Sequence, residues 1–356
     1  MARANNGSPT ERGRSATLPG AQAAVDVGET GPRPLPTPHG REAPQRLGLI
    51  DLGSNSAQMS LLFRHAQDPL RFRVAEELLF VTGLSRNLSP DGHLSTAGKT
   101  RARTALRHFA RRLETLGVNA TDVRAVATAG IRRSTDGIAF LEEVREEIGL
   151  KLEVISGAEE AELSALAQER SFPRLCPLIV LDIGGRSTEL ALRFPGKTLW
   201  KTSLDVGSVQ LSEQHGSNAA ALEKGVDRAL APWRDSWSLE RGSWPAEAPV
   251  VGVAGTVTTA RQVLLGLREW DPTKLHGSEL EAYQVEGLIQ RLSAMTAEER
   301  LQLPGMHPGR ADLIVAGLSL LAGLMRVLER DRCLVSDRGV RYGLLWQRWP
   351  LVQIRD

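Results

Sequence analysis

Residues 178–192 read LIVLDIGGRSTELAL. Leu178-Ile179-Val180-Leu181 is a short apolar run with the character of a fully buried strand, and it stops at a carboxylate, Asp182, just ahead of Gly184 and Gly185. Thr188-Glu189-Leu190-Ala191-Leu192 returns with the alternation of a half-buried strand, so the spacing predicts a hairpin. A glycine turn lets backbone N–H groups converge on an anion. Ser187 and Thr188 add hydroxyl donors, and Asp182 at the strand end could hold a hard cation. The implied cargo is phosphate with magnesium, although any buried hairpin also needs turn glycines.

Leu47 to Phe63, LGLIDLGSNSAQMSLLF, repeats the order of events: an apolar strand, Asp51 at its end, then Gly53, Ser54, Asn55 and Ser56, then a returning apolar run. Two such hairpins far apart in one chain imply two related domains that present phosphate-binding turns to a shared cleft. That arrangement resembles the actin, Hsp70 and sugar-kinase superfamily.

At 356 residues the chain is long enough for two cores, and 44 basic against 42 acidic residues leave a net charge of +2. Neither general nucleic-acid nor membrane-surface affinity follows from that balance, so an anion site must be local. The two cysteines, Cys176 and Cys333, lie beside apolar runs without zinc or disulfide spacing and read as buried thiols in a reducing cytoplasm. The seven histidines lack ligand spacing. No apolar run is long enough for a membrane span, and the N-terminus has no apolar core of a secretory signal.

Residues 1–45 hold seven of the 19 prolines, six glycines and no aromatic residue, a composition expected to stay disordered. Beyond them the pattern predicts a strand at Val74–Leu79, an amphipathic helix over Ser95–Gly117 whose arginines face solvent or a polyanion channel, and a strand at Val123–Thr128. A helix over Thr135–Gly149 and a strand at Leu152–Ile155 complete a β-α-β order. Arg132 follows a strand end, where a guanidinium can grip phosphate or form a surface ion pair. Ser156-Gly157-Ala158-Glu159 has capping-box spacing at the start of an alanine-rich helix, which accounts for Glu159; Glu160 also lies in the first turn. Gly207-Ser208 offers another turn before a helix. Gly255-Thr256-Val257-Thr258 opens a helix whose N–H groups could hold phosphate. Trp233 and Trp237 read as a packing pair, Arg310–Glu329 as a long helix, Cys333–Ser336 as the last strand, and Asp337–Trp349 as a terminal helix.

Taken in order, DLGSNS (51–56), ATAGIR (127–132), SGAEEAEL (156–163), DIGGRSTEL (182–190), SLDVGSV (203–209), GTVTT (255–259) and SDRGVRYGLL (336–345) resemble the Ppx/GppA exopolyphosphatase and guanosine pentaphosphate phosphohydrolase family from about Arg46 to Trp349. The resemblance implies an α/β fold of two actin-like (ribonuclease H-like) domains with an interdomain cleft. It places the first domain at 46–157 and the second at 158–337, with a terminal helix at 338–349 packing back on the first. Glu160 resembles the base that activates water, and Asp182 falls at the divalent-cation position. Glu189 falls at another acidic position needed for hydrolysis. Mg2+ or Mn2+ is the implied cofactor, with Asp182 and Glu160 as its ligands. Gly53, Ser54, Asn55, Ser56, Arg132, Gly184, Gly185, Arg186, Ser187, Thr188, Gly207 and Ser208 fall in the motifs around the phosphates. The implied reaction releases orthophosphate from inorganic polyphosphate, or the 5′-phosphate of pppGpp. A homodimer is a family-level expectation. A sensor that binds and barely turns over, or a sugar kinase, would use similar hairpins; the Glu159-Glu160 pair and the lack of a sugar-binding pattern count against the kinase.

Two positions depart from the family pattern: Arg186 stands where a third glycine is usual, and Tyr342 where a glutamate is usual. The expectation for Arg186 is a guanidinium pointing into the cleft and gripping a long polyanion.

Overall fold

The computed structural model describes residues 25–26, 46–65, 68–240, 244–350 and 353–354. The expectation of disorder for 1–45 lies outside the described residues except at Val25–Asp26. That pair is a short strand, β1, paired antiparallel with Leu78 and Leu79, so the segment is not wholly unstructured.

The chain continues through β2 (Arg46–Leu52), β3 (Ser56–His65) and β4 (Asp68–Val81), an antiparallel meander, into helix α1 (Thr96–Thr115) and strand β5 (Val123–Ala127). A single turn, α2 (Ala129–Arg132), then α3 (Gly137–Ile148) and β6 (Glu153–Val154), complete the first domain. Helix α4 (Gly157–Ser171) leads to the second, where β7 (Leu178–Ile183), β8 (Thr188–Phe194) and β9 (Lys197–Leu204) repeat the meander. There follow α5 (Ser208–His215), α6 (Ala219–Glu240), β10 (Val250–Val253), α7 (Ala254–Leu265), α8 (Pro272–Leu275), β11 (Glu279–Glu281), α9 (Ala282–Ser293) and α10 (Ala297–Leu301). Helix α11 (Ile314–Leu328), β12 (Arg332–Val335), α12 (Val340–Arg348) and β13 (Gln353–Ile354) end the chain.

Among the described residues the strands form two sheets. The first runs β1-β4-β3-β2-β5-β6, with β13 also on β4, and the second runs β11-β12-β10-β7-β8-β9. Both are built on one plan, because β2 pairs antiparallel with β3 and parallel with β5, just as β7 pairs antiparallel with β8 and parallel with β10. The register makes the two strand-end aspartates equivalent: Asp51 lies opposite Gln58 and beside Val126, and Asp182 lies opposite Glu189 and beside Val253.

Strand β7 is buried on both faces, as its unbroken apolar run requires. Ile179, Leu181 and Ile183 join the core formed with α6, α7 and α11, while Leu178 and Val180 pack on Ala165 of α4. The expected capping box is present: Ser156 Oγ accepts from the Glu159 N–H (3.2 Å), and Glu159 accepts from the Ser156 N–H (2.7 Å). Helix α12 returns to the first sheet, where Val340, Leu344 and Leu345 pack with Leu47, Leu49 and Leu62. Its Gly343 lies so close to the Leu163 carbonyl of α4 that a β-carbon there would have no room.

Several sequence readings change. The strand Lys197–Leu204 and helices α9 and α10 lack a clear sequence signal, and α11 starts at Ile314 rather than Arg310. The α1 arginines lie on the partly to fully exposed face of the helix, as expected of a solvated face, and three of them are ion-paired there. Arg103 and Arg107 pair with Glu143 and Glu147 of α3, and Arg112 pairs with Glu76 of β4 (2.7 Å). Cys333 is a buried free thiol that burial pushes up to about 12, whereas Cys176 is only partly buried. Trp233 and Trp237 pack together at 5.6 Å as expected.

Candidate active site

Both central hairpins end in the same turn. The Gly53 N–H donates to Ser56 O (2.9 Å) and the Gly184 N–H to Ser187 O (3.0 Å), which leaves the intervening backbone facing the cleft. The turns touch across the domains, since a β-carbon on Gly185 would sit 2.9 Å from Ser54 Cβ. Backbone of Gly207 packs equally closely on Gly185, so both glycines are required by close approach rather than by unusual dihedrals.

A cavity of about 100 Å³ lies between the turns. It is lined by the predicted residues Gly53, Ser54, Asn55, Ser56, Glu160, Asp182, Gly184, Gly185 and Ser187, and by Asp51, Thr128, Arg310, Asp337 and Arg341, none of which was assigned a site role from sequence. Asp51 was legible as a strand-end carboxylate equivalent to Asp182. Arg310 had no motif signal. A second cavity of about 640 Å³ adjoins the first and shares Gln58, Ala254, Arg310, Asp337 and Arg341 with it; Leu78, Leu79, Trp270 and Met306 line it further out.

Asp51, Glu160 and Asp182 line the small cavity, and Glu189 is buried next to Asp182 without lining it. Asp182 and Glu189 are direct cross-strand partners, which puts both side chains on one face of the sheet at short range, an unfavourable place for like charges. Burial pushes Glu189 up to about 8, with Asp182 adding to the rise and hydrogen bonds from Ser187 and Ser203 and the charge of Arg132 opposing it. Burial also raises Asp51 to about 7, opposed by Arg341 and reinforced by Asp182. Asp182 is raised by burial although Ser164 Oγ donates to it (2.6 Å). Glu160 is held well above the usual carboxylate range by burial, then by Glu189, Asp182 and Asp51, against the pull of Arg132.

Asp51 Oδ1 and Glu189 Oε2 are buried without a hydrogen-bond partner. Unpaired, mutually repelling carboxylate oxygens suit a hard divalent cation. Among the described residues no three acidic, histidine or cysteine side chains converge as a complete ligand set. Hard divalent ions can bind through one or two carboxylates and take remaining oxygens from water and phosphate.

Other predicted residues are placed differently. Arg132 stands behind the cavity, donating to Ile155 O (2.7 Å) and to Glu160 (3.3 Å) and lying 4.0 Å from Glu189, so it holds the carboxylates rather than facing the space between the turns. The Thr188 hydroxyl is committed to Val206 O (2.7 Å) and that of Ser208 to Gly184 O (3.1 Å), so both serve the turn's shape instead of offering donors to a ligand. Gly207 likewise supports the turn. The Arg186 guanidinium does not enter the cleft: it is turned to Ser85 O (3.1 Å from Nε) and to Glu213 (2.6 Å). Tyr342 is buried and donates to Glu77 (3.1 Å).

The Gly255 turn, whose helix N–H groups the sequence marks as able to hold phosphate, also receives an arginine. Arg310 lays its guanidinium against Gly255, where a β-carbon would collide with it, and so adds a cation beside the N-terminus of α7. Burial, then the neighbouring Arg86 charge, lower Arg310 to about 10, against the opposing effect of Asp312, so it stays cationic at neutral pH. No hydrogen bond or ion pair of its guanidinium occurs among the described residues. Ala254, which precedes the glycine and lines both cavities, has φ 68°, a strained value for a residue with a side chain.

Comparison with known proteins bears on this site. The family model described as "Ppx/GppA phosphatase family" matches residues 66–351, a range that begins after the first turn. The chain is 31% identical over 278 residues to exopolyphosphatase 2 of Mycobacterium tuberculosis, covering 74% of this chain and 86% of that protein. It is 30% identical over 317 residues to the guanosine-5′-triphosphate,3′-diphosphate pyrophosphatase of Vibrio atlanticus, covering 86% of this chain and 59% of that longer protein. The solved Aquifex aeolicus PPX-GPPA enzyme superposes with a TM-score of 0.69 at 28% identity over 86% of this chain and all of that one (100%). An exopolyphosphatase from Cytophaga hutchinsonii gives 0.75 at 23% identity, over 87% of this chain and 99% of that one, a likeness of fold.

Proposed function

The chain belongs to the Ppx/GppA phosphatase family, and we propose that it hydrolyses the terminal phosphoanhydride of inorganic polyphosphate, releasing orthophosphate. One observation carries this reading: two equivalent glycine turns and a set of buried carboxylates meet at one small cavity that opens into a larger one.

Phosphoryl transfer to water asks mainly for positioning, charge neutralisation and an oriented nucleophile. In this reading the N–H groups of the two turns and the Ser54 hydroxyl hold the terminal phosphate, while Arg310 and Arg341 neutralise the chain behind it. Glu160 takes the proton of the attacking water. Arg132 fixes its orientation through a hydrogen bond of 3.3 Å. Asp182 and Asp51 would hold Mg2+ or Mn2+, which when bound supplies charge neutralisation to the phosphates; Glu160, which the resemblance also offers as a ligand, serves in this reading as the base. Glu189, beneath Asp182, is a positioning carboxylate.

For the domains we take 46–157 and 158–337, with 338–349 returning to the first. A cytoplasmic homodimer is the setting the family resemblance suggests; among the described residues no helix is long and apolar enough to cross a membrane.

A second reading, removal of the 5′-phosphate from pppGpp, is favoured by the apolar part of the larger cavity, where Trp270 and Met306 offer a surface for a nucleoside. Purified protein incubated with Mg2+ or Mn2+ and long polyphosphate, or with pppGpp, tests both. Faster orthophosphate release from polyphosphate supports the first reading, and faster release from pppGpp replaces it with the second. No release from either substrate would leave a binding protein.

A further inference from the structure

Between β4 and α1, residues 82–88 (TGLSRNL) cross from the first domain to the second. The loop first folds over the phosphate turn, with the N–H groups of Thr82 and Gly83 donating to Asn55 O (2.9 Å each) and that of Ser85 to Ser54 O (2.9 Å). It then meets two charged patches of the second domain. Arg86 pairs with Asp312 and donates to Gly309 O (3.1 Å), while its Nε donates to Asn55 Oδ1 (3.0 Å). Arg186 donates to Ser85 O and pairs with Glu213 (2.6 Å), whose other oxygen accepts from the Asn87 N–H (2.7 Å). Ser212 Oγ donates to Asp312 O (2.8 Å), which ties the two patches to each other.

We infer that Arg186 and Arg86 form an interdomain clasp that positions the two phosphate turns against each other, and that opening and closing of this clasp is coupled to substrate binding. Both arginines act beside a turn rather than on the ligand. Arg186 grows directly from the Gly184-Gly185 turn, and Arg86 holds the amide of Asn55 in the other turn, so moving either pair moves the walls of the catalytic cavity. Where a glycine stands in place of Arg186, the first of these two links is missing. The partners are half-exposed, at 13% and 28% for the Arg186–Glu213 side chains and 24% and 47% for Arg86–Asp312, so the clasp is open to screening by salt. Closure of two domains around a ligand is a common way to complete such a site, and here charge pairs at the edge of the cleft set how often the closed form occurs without ligand.

This inference rests on the phosphohydrolase reading only for its kinetic arm. The test uses the full chain, Glu213→Gln, Asp312→Asn and the double variant. Small-angle scattering is recorded without substrate at low and at molar salt, alongside melting temperature and orthophosphate release from polyphosphate. The double variant should have a larger radius of gyration than wild type at low salt, and wild type should reach the same value at high salt. KM should rise about fivefold in the double variant with kcat nearly unchanged, the lower edge of a coupling between two conformational states. Unchanged scattering and KM overturn the clasp, including the case in which only the melting temperature falls. Should Asp312→Asn fail to fold, Glu213→Gln alone carries the same comparison. Should no form release phosphate, the hydrolase reading fails while scattering still decides the clasp.

Discussion

Replacing Asp51 by asparagine should stabilise the metal-free protein above neutral pH while removing activity. Burial and the nearby Asp182 raise Asp51 from an ordinary 3.8 to about 7. The folded state therefore binds this proton more tightly than the unfolded chain does. The stability it confers is complete below the unfolded value and is lost as pH rises through about 7. At 1.36 kcal/mol per pH unit the full difference is about 4 kcal/mol, of which about 3 kcal/mol disappears between pH 5 and pH 8. Asparagine keeps the shape and cannot ionise, so in chelator the variant and wild type should melt together at pH 5. At pH 8 the variant should melt higher by about 5 °C, at roughly 2 °C per kcal/mol for a chain of this size. His307 titrates in the opposite sense, since burial lowers it to about 4 and its contribution is lost on acidification, but it is present in both proteins and cancels in the difference. Saturating Mg2+ should reverse the order at pH 8 by stabilising wild type and not the variant. Orthophosphate release should drop at least about 100-fold with the loss of several kcal/mol of charge stabilisation. A variant that melts below wild type at pH 8 in chelator, or a difference independent of pH, would refute the repulsion argument.

Glu160→Gln should lower turnover by about 10²- to 10⁴-fold, the usual general-base contribution, with polyphosphate binding retained. Glu159→Gln should instead cost about 1 kcal/mol of stability through the capping box, with turnover near wild type; the opposite ranking of the two would mean the wrong carboxylate was chosen as base. Gly255→Ala should displace the Arg310 guanidinium and raise KM for polyphosphate about tenfold, as expected when one charged contact is lost; an unchanged KM in a folded variant would remove Arg310 from the binding surface.

The parts of this site that were legible in the sequence are those fixed by near neighbours in the chain. Asp51 and Asp182 could be recognised as equivalent because each ends an apolar strand at a glycine turn, and the β-register places them at matching positions. The capping box at Ser156 made Glu159 structural and thereby singled out Glu160, whose neighbour is spent on the helix start. A hydroxyl in a glycine turn is harder to assign, because it serves either ligand or turn. The structure gives those of Thr188 and Ser208 to backbone carbonyls, a choice that depends on where Val206 and Gly184 fall after folding. Arg310 lies still further from any sequence cue, since its role comes from meeting Gly255 across the second domain.

Arg186 marks the boundary of what a turn sequence can say. Its backbone belongs to the phosphate turn, which made a guanidinium in the cleft a reasonable expectation, but a long side chain goes where its partners are. Ser85 O and Glu213 offer it a carbonyl and a carboxylate at the rim, whereas the cavity offers donors and other cations beside its buried acids. A guanidinium directed inward would approach Arg310 and Arg341 and leave Glu213 without its partner, so pairing at the rim is the lower-energy choice. It follows that the same substitution in a chain lacking an acid at the Glu213 position should behave differently, with arginine free to enter the cleft. Glu213→Gln reproduces that situation here only in part, because Ser85 O still accepts from Arg186: KM for polyphosphate should rise with loss of the clasp, and a fall in KM would show that the freed guanidinium reaches the substrate.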